Sequence, residues 1–186
     1  METLRAISQR ASLKTCLAAR DVEQDKIDKV LEAAILAPSA RNMQPWRFIV
    51  VKGKKNVQTL VTKAFAEVNQ MVKEAPVVIV ACANPKDDAV IGGREYYLFD
   101  VGMAVENMIL AATDLGLVTH LMTAVNEDEL KAVLGVPAEV RFVVATPLAY
   151  PAQGSYDEAA KERLSQRTRR SLKEVAYLNS WEEEPA

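Results

Sequence analysis

The chain has 186 residues, 49% of them hydrophobic, and no extended low-complexity tract, so it can bury the core of a single domain. Charged residues make up 26% and nearly cancel at a formal net charge of −2, which leaves no strong uniform field for nucleic acid or an anionic membrane surface; neither partner is expected. Cys16 and Cys82 stand in no CxxC spacing and His120 is the one histidine, a set that provides no disulfide framework, no zinc ligands and no Ser-His-acid triad; His120 is expected as a packed or pocket-lining side chain.

The N-terminal stretch alternates charged and apolar residues and lacks the apolar run and cleavage site of a secretory signal, so a cytoplasmic protein is expected. It leads into Arg10-Ala11-Ser12-Leu13-Lys14. If this segment is extended, Arg10, Ser12 and Lys14 fall on one side and present two cations and a hydroxyl to one ligand, although alone it reads more readily as a basic surface segment.

Ile27, Val30, Leu31, Ala34 and Ile35 recur at helical spacing and predict a helix over Asp25 to Ala37, stopped by Pro38. In the loop that follows, two prolines stiffen the chain and small residues admit a flat ligand, while Ser39, Asn42 and Gln44 offer donors and acceptors. The same residues also suit a plain helix-to-strand connection that satisfies its own backbone. Trp46 to Val51 reads as a strand, Lys54 to Lys73 as one amphipathic helix, and Val77 to Ala83 as a buried strand.

The longest apolar region, Leu98 to Leu117, is interrupted by Asp100, Glu106, Asn107 and Asp114, which suits a core or interface helix rather than a membrane span. The helix is expected over Arg94 to Leu115, closed by Gly116. Leu117 to Thr123 is expected as a strand, and Asn126 as the cap of a short helix with Glu129 reaching back, ended by Gly135 and Pro137. Val140 to Ala149 is the last core strand. Beyond it the chain turns polar, with helical stretches over Tyr156 to Leu164 and Ser171 to Leu178, a basic run from Arg163 to Arg170, and a solvated acidic end at Glu182 to Glu184. No dinucleotide-binding or P-loop glycine pattern occurs.

The pairing of R-x-S-x-K at Arg10 to Lys14 with A-P-S-A-x-N-x-Q-P-W at Ala37 to Trp46 resembles the FMN-dependent nitroreductase family. The likeness extends over nearly the whole chain: Phe99 to Leu117 with Gly102, Asn107 and the L-G-L turn, then Ala149-Tyr150-Pro151, then Arg167-Thr168-Arg169 followed by Leu172, Glu174 and Val175. The resemblance implies an α+β fold with a central, mainly antiparallel sheet of four strands flanked by helices. It also implies one domain over residues 1–186, an intertwined homodimer, and a C-terminal arm, about 177–186, on the partner subunit.

By the same resemblance, Arg10, Ser12, Arg167 and Arg169 surround the FMN phosphate with Ala11 beside them, and Lys14 approaches the N1/O2 edge of the ring, where negative charge gathers on reduction. Pro38, Ser39, Ala40, Asn42 and Gln44 line the same flavin from the opposite subunit. A backbone N–H of Met122 or Thr123 reaches flavin N5, and Asn69 or Gln70 the pyrimidine edge. The segment Val118 to Thr123 departs from the family's glycine and aromatic, and Ala149 replaces its common glycine.

The implied activity is reduction of nitroaromatics, quinones or related small acceptors, with NADH or NADPH as transient donor and ping-pong kinetics. The chemistry belongs to flavin N5, so no side-chain nucleophile is expected. Ala83 to Tyr97 is the segment expected to cover the pocket. The alternatives are a non-catalytic flavin-binding protein, or a divergent flavin reaction such as enone reduction, dehalogenation or flavin fragmentation.

Overall fold

A computed structural model describes residues 2–15 and 17–181, with Ser155 as backbone only. Cys16, the acidic Glu182 to Glu184 and the far end of the expected arm lie outside the described residues. Three strands, β1 (Trp46–Lys52), β2 (Val77–Ala83) and, later in the chain, β5 (Arg141–Leu148), form an antiparallel sheet in the order β1-β2-β5. Every residue of β2 is buried, which explains its uninterrupted apolar sequence: a central strand covered on both faces has no solvent side to mark with polar residues.

Alternate residues of β2 enter two cores. Val77, Ile79, Ala81 and Ala83 pack with α2 (Gln24–Ile35) and α4 (Tyr97–Asp114) through Ile27, Val30, Ala34, Val101, Ala104 and Met108. Val78, Val80 and Cys82 pack with α3 (Lys54–Ala64) and α5 (Glu127–Leu134) through Val57, Leu60, Val61 and Leu130. Burial pushes the Cys82 thiol up to about 11, so it stays protonated and serves as a small apolar side chain. No helix among the described residues is long and apolar enough to cross a membrane.

The fourth strand expected at Leu117 to Thr123 is broken. Val118 pairs with Ala149 and Met122 with Ala145, both antiparallel and in one register, and Ser12 adds a parallel bridge to Thr119 on the far side. That register sets His120 opposite Pro147, which has no N–H to give. His120 instead donates its N–H to Thr146 Oγ1 at 3.0 Å, and that hydroxyl donates to the Pro147 carbonyl at 2.9 Å.

The helix expected over Lys54 to Lys73 also divides. It ends at Ala64; Phe65 is extended at φ −93° and ψ 138°, and a 3₁₀ stretch, Glu67–Glu74, follows. The break frees backbone for tertiary pairing, with Ala66 N–H on Ala124 O at 3.0 Å and Asn126 N–H on Ala64 O at 2.7 Å. Gln70 then turns inward, and its Nε2 satisfies the carbonyls of Val61 and Phe65 at 2.9 and 2.8 Å.

The long helix α4 begins at Tyr97, not Arg94, because Val90–Ile91 (β3) and Arg94–Glu95 (β4) form a hairpin across Gly92 and Gly93, whose φ of 59° and 77° suit a two-residue turn. Asn126 caps α5 by accepting from the N–H groups of Asp128 and Glu129, whereas Glu127, not Glu129, makes the side-chain contacts, reaching Lys131 at 2.9 Å and Arg141 at 3.1 Å. Three further helices complete the fold: α1 (Thr3–Gln9), α6 (Ser155–Ser165), which packs beside Ala11, Leu13 and Val118, and α7 (Leu172–Val175), the last stopping short of Leu178.

Candidate functional site

The end of α1, the bridge at Ser12 and the segment after α6 converge on one open cavity of about 340 Å³, lined by Arg10, Ala11, Ser12, Arg163, Gln166, Arg167, Thr168 and Arg169. Arg10 Nη1 donates to Ser12 Oγ at 3.1 Å. Arg167 straps the two segments together, donating to the Ser8 carbonyl at 3.1 Å and also to the Arg10 carbonyl. Arg169 Nη1 donates to the Thr168 carbonyl at 2.6 Å.

Among the described residues none of Arg10, Arg163, Arg167 and Arg169 has an acidic partner within ion-pair distance. Burial, and then the charges of Arg10 and Arg169, hold the Arg167 guanidinium below its ordinary value. A phosphate dianion would offer charge-assisted acceptors to all of these arginines. Arg163 was not foreseen beyond the basic run; it stands in the last turn of α6 and lines the same cavity as Arg167, which follows the helix.

Lys14 lies beside this cavity rather than in its lining, near the same His120 as Ser12 and Arg163. Its Nζ donates to the Val68 carbonyl and to Asn69 Oδ1, the latter at 3.3 Å, and Asn69 Nδ2 donates to Ala124 O at 3.4 Å. Both acceptors are neutral, so the Lys14 charge is oriented without being cancelled. Of the two residues expected near the pyrimidine edge, Asn69 stands here and Gln70 is committed to the end of α3.

Met122 is buried, and its N–H and C=O both pair with Ala145, at 2.8 and 3.0 Å. Thr123 is exposed, and its N–H has no partner among the described residues. Beneath them His120 lies near Lys14, Ser12 and Arg163. Burial and then Lys14 lower its pKa against the pull of the Ser12 backbone, with Arg163 adding to the lowering, so it stays neutral; its Nδ1 is buried without a partner.

The loop after α2 is a separate group. Pro38, Asn42 and Gln44 are exposed, with Ser39 and Ala40 half-buried. Arg41, Asn42 and Gln44 have φ of 52°, 58° and 50°, left-handed positions that cost roughly 1–3 kcal/mol each for residues other than glycine, least for Asn. The loop is held by Gln44 N–H on Ser39 Oγ at 2.9 Å, Gln44 Nε2 on Asn42 O at 3.2 Å, and Ala40 N–H on Asp100 Oδ2 at 2.6 Å. No hydrogen bond or ion pair among the described residues joins this loop to Arg10, Ser12, Lys14, Arg167 or Arg169. Within one chain the expected site residues are therefore bonded as two groups, and the loop does not line the arginine cavity.

The first group fits the flavin nucleotide implied by the sequence. Its uncompensated arginines match a phosphate, and Lys14, Asn69 and the free Thr123 N–H form a polar edge for a ring.

Comparison with known proteins agrees. The Nitroreductase family profile matches residues 7–150. A protein of Archaeoglobus fulgidus named as a candidate NADH dehydrogenase/NAD(P)H nitroreductase is 34% identical over 154 residues, spanning 81% of this chain and 86% of that one. The crystal structure of a nitroreductase family protein from Clostridium novyi NT superposes with a TM-score of 0.77 at 30% identity, over 99% of this chain and 97% of the other. A candidate nitroreductase of Desulfovibrio desulfuricans, solved in complex with FMN, superposes with a TM-score of 0.75 at 25% identity, over 97% and 98% of the two chains. By sequence and by fold, the chain belongs to the Nitroreductase family, a family of FMN-dependent oxidoreductases.

Proposed function

We propose that this chain is a single-domain subunit of a homodimer that binds FMN between its subunits and transfers hydride equivalents from NADH or NADPH to small organic acceptors such as nitroaromatics and quinones. The observation that carries the reading is the arginine cluster without counter-charge, set beside a lysine that only neutral groups hold. Bound FMN supplies the ring that takes and returns hydride at N5.

The chain's own residues position that ring and set its electrostatics. Arg10, Ser12, Arg167 and Arg169 hold the phosphate with Ala11 as close backbone, and Arg163 adds a further cation. Lys14, held by Asn69, sets positive charge against the N1/O2 edge and favours the reduced ring by a fixed field that need not reorganise. Thr123 offers its N–H toward N5, since that of Met122 is already donated to Ala145. Donor and acceptor would share this one open site in turn, so the kinetics are expected to be ping-pong.

The second half of the site, Pro38, Ser39, Ala40, Asn42 and Gln44, comes from the partner subunit. Support lies in the separation of the two groups within one chain and in the apolar surface the chain leaves uncovered, with Leu4, Leu36, Leu98 and Phe99 all more than half exposed. An isologous interface buries such a surface twice over. The segment from Tyr177 to Trp181, whose two rings stack at 4.6 Å, belongs to the arm assigned to the neighbouring subunit.

The test is an anaerobic absorbance scan of the FMN-loaded protein with NADH, then NADPH, then nitroarene, quinone, enone and halophenol acceptors. Bleaching by a nicotinamide and recolouring by a nitroarene or quinone is the expected result. A flavin that neither donor bleaches points to a binding protein, and recolouring by a halophenol or enone alone to a divergent reaction.

A further inference from the structure

Asp100 interrupts the apolar α4 and is 1% exposed, yet no cation among the described residues lies within ion-pair distance of it. Its Oδ2 accepts the Ala40 N–H at 2.6 Å. Asp88, also buried, stands close enough for the Asp100 carboxylate to act on it; one oxygen accepts the Ala89 N–H at 2.7 Å, and the other, Oδ2, is buried and meets no donor among the described residues. Two anionic carboxylates side by side in a dry site repel, whereas a proton on Asp88 converts the orphan oxygen into a donor and Asp100 into its acceptor. Burial, with the Asp100 charge and its hydrogen bond, holds the Asp88 carboxyl above its ordinary value against the Ala89 N–H, which pulls it down.

The pair stands where two segments meet. Every other hydrogen bond to residues 39–44 comes from within residues 39–47, so Asp100 makes the loop's one hydrogen bond to the core among the described residues. On the other side, Asp88 precedes the β3–β4 hairpin, whose base is closed by Tyr96 N–H on Ala89 O at 3.1 Å. Left-handed φ at Arg41, Asn42 and Gln44 persists only where surrounding structure enforces it.

We propose that Asp100, with Asp88 as its proton-bearing partner, is a positioning pair that fixes the Ala40 N–H and so holds the Ser39 to Gln44 loop, in its flavin-lining shape, against the root of the hairpin. This rests on the assignment of that loop to the flavin of the neighbouring subunit. The pair touches no reacting atom; it acts through the loop backbone.

The experiment uses the FMN-loaded protein and Asp100→Ala, Asp100→Asn and Asp88→Asn, read by amide hydrogen exchange over residues 38–45, the visible circular dichroism of bound flavin, and the rate of anaerobic reduction by NADH. Asp100→Ala is expected to speed loop exchange about tenfold, change the flavin dichroism and slow reduction about fivefold or more. Asp100→Asn keeps an acceptor for Ala40 and offers an N–H to Asp88, and Asp88→Asn replaces the shared proton with an amide donor; both are expected within about twofold of wild type in all three readouts.

Should Asp100→Ala fail to fold, Asp88→Val, which deletes the donor at similar size, is expected to loosen the same amides. Wild-type loop exchange in Asp100→Ala, or in Asp88→Val, overturns the positioning pair. Faster exchange with unchanged dichroism and reduction rate upholds the pair and overturns the assignment of the loop to the flavin.

Discussion

The carboxamide oxygen of Asn69 lies 3.3 Å from Nζ of Lys14, and the same carboxamide nitrogen donates to the Ala124 carbonyl. Lys14 is thereby aimed by a buried side chain that is itself fixed by the backbone just beyond Thr123. A cation held this way, with no carboxylate to neutralise it, acts on whatever charge develops beside it. Lys14→Ala is expected to lower the flavin midpoint potential by about 30–60 mV, the two-electron equivalent of one charge-assisted hydrogen bond, with little loss of bound FMN. Dye-equilibrated potentiometry measures it, and an unchanged potential removes the electronic role of Lys14.

Arg167 and Arg169 face the same cavity but do different work in the free chain. Arg167 joins the end of α1 to the segment after α6 through the Ser8 and Arg10 carbonyls, while Arg169 reaches only the neighbouring Thr168 carbonyl. Either change to Ala removes a phosphate partner and is expected to weaken FMN binding by about 1.5–3 kcal/mol, roughly ten- to a hundredfold in Kd. Arg167→Ala alone is expected to lower the melting temperature of the flavin-free protein. Calorimetric titration and thermal melts separate the two effects; normal FMN affinity in both variants sinks the phosphate assignment.

Much of this arrangement was legible in the sequence where local chemistry coincides with long-range need. The apolar run of β2, the periodicity of α2 and the Asn126 cap each state their own structure. What escaped is decided elsewhere in the fold. Phe65 continues a helical pattern perfectly well, but backbone pairing of Ala64 and Ala66 with the segment around Ala124 to Asn126 ends the helix there. Leu117 to Thr123 has strand-like residues, and the break in its ladder comes from Pro147 on the opposite strand. Arg10 and Ser12 of R-x-S-x-K and the late arginines are read from resemblance, and the structure brings them to one cavity; Arg163 joins them without a motif of its own. Asp100 read only as a charge inconsistent with a membrane span, because its partner Ala40 lies in a different segment of the chain.

His120 is held neutral by burial and by the nearby Lys14 and Arg163. Its folded pKa lies below the unfolded value of about 6.5, so the unfolded chain takes up a proton at a pH where the folded chain does not. Stability from this group is therefore fully present above about pH 6.5 and is lost as pH falls through that value toward the folded pKa. Urea midpoints measured from pH 7.5 down to 5.5 are expected to decline for the wild type and to flatten for His120→Gln, which cannot titrate. A decline of equal steepness in the variant assigns the loss to other groups.

Phe99 stands in the first turn of α4, 62% exposed, with its ring edge-on to Tyr96 at 6.3 Å and Leu98 exposed beside it. These large apolar side chains stand exposed at the start of a helix that buries Val101, Ala104, Val105, Met108, Ile109 and Ala112, and they flank the segment that carries Asp100 and, through it, the Ala40 loop. A carboxylate introduced there must be desolvated if the face is a subunit interface and costs little if it is open surface. Phe99→Asp is expected to convert the proposed dimer to a folded monomer in light-scattering chromatography, and to lose most bound FMN although every arginine of the cavity remains. Loss of FMN without dissociation places Phe99 against the flavin rather than the partner, while a dimer that keeps its FMN removes the α4 face from the interface.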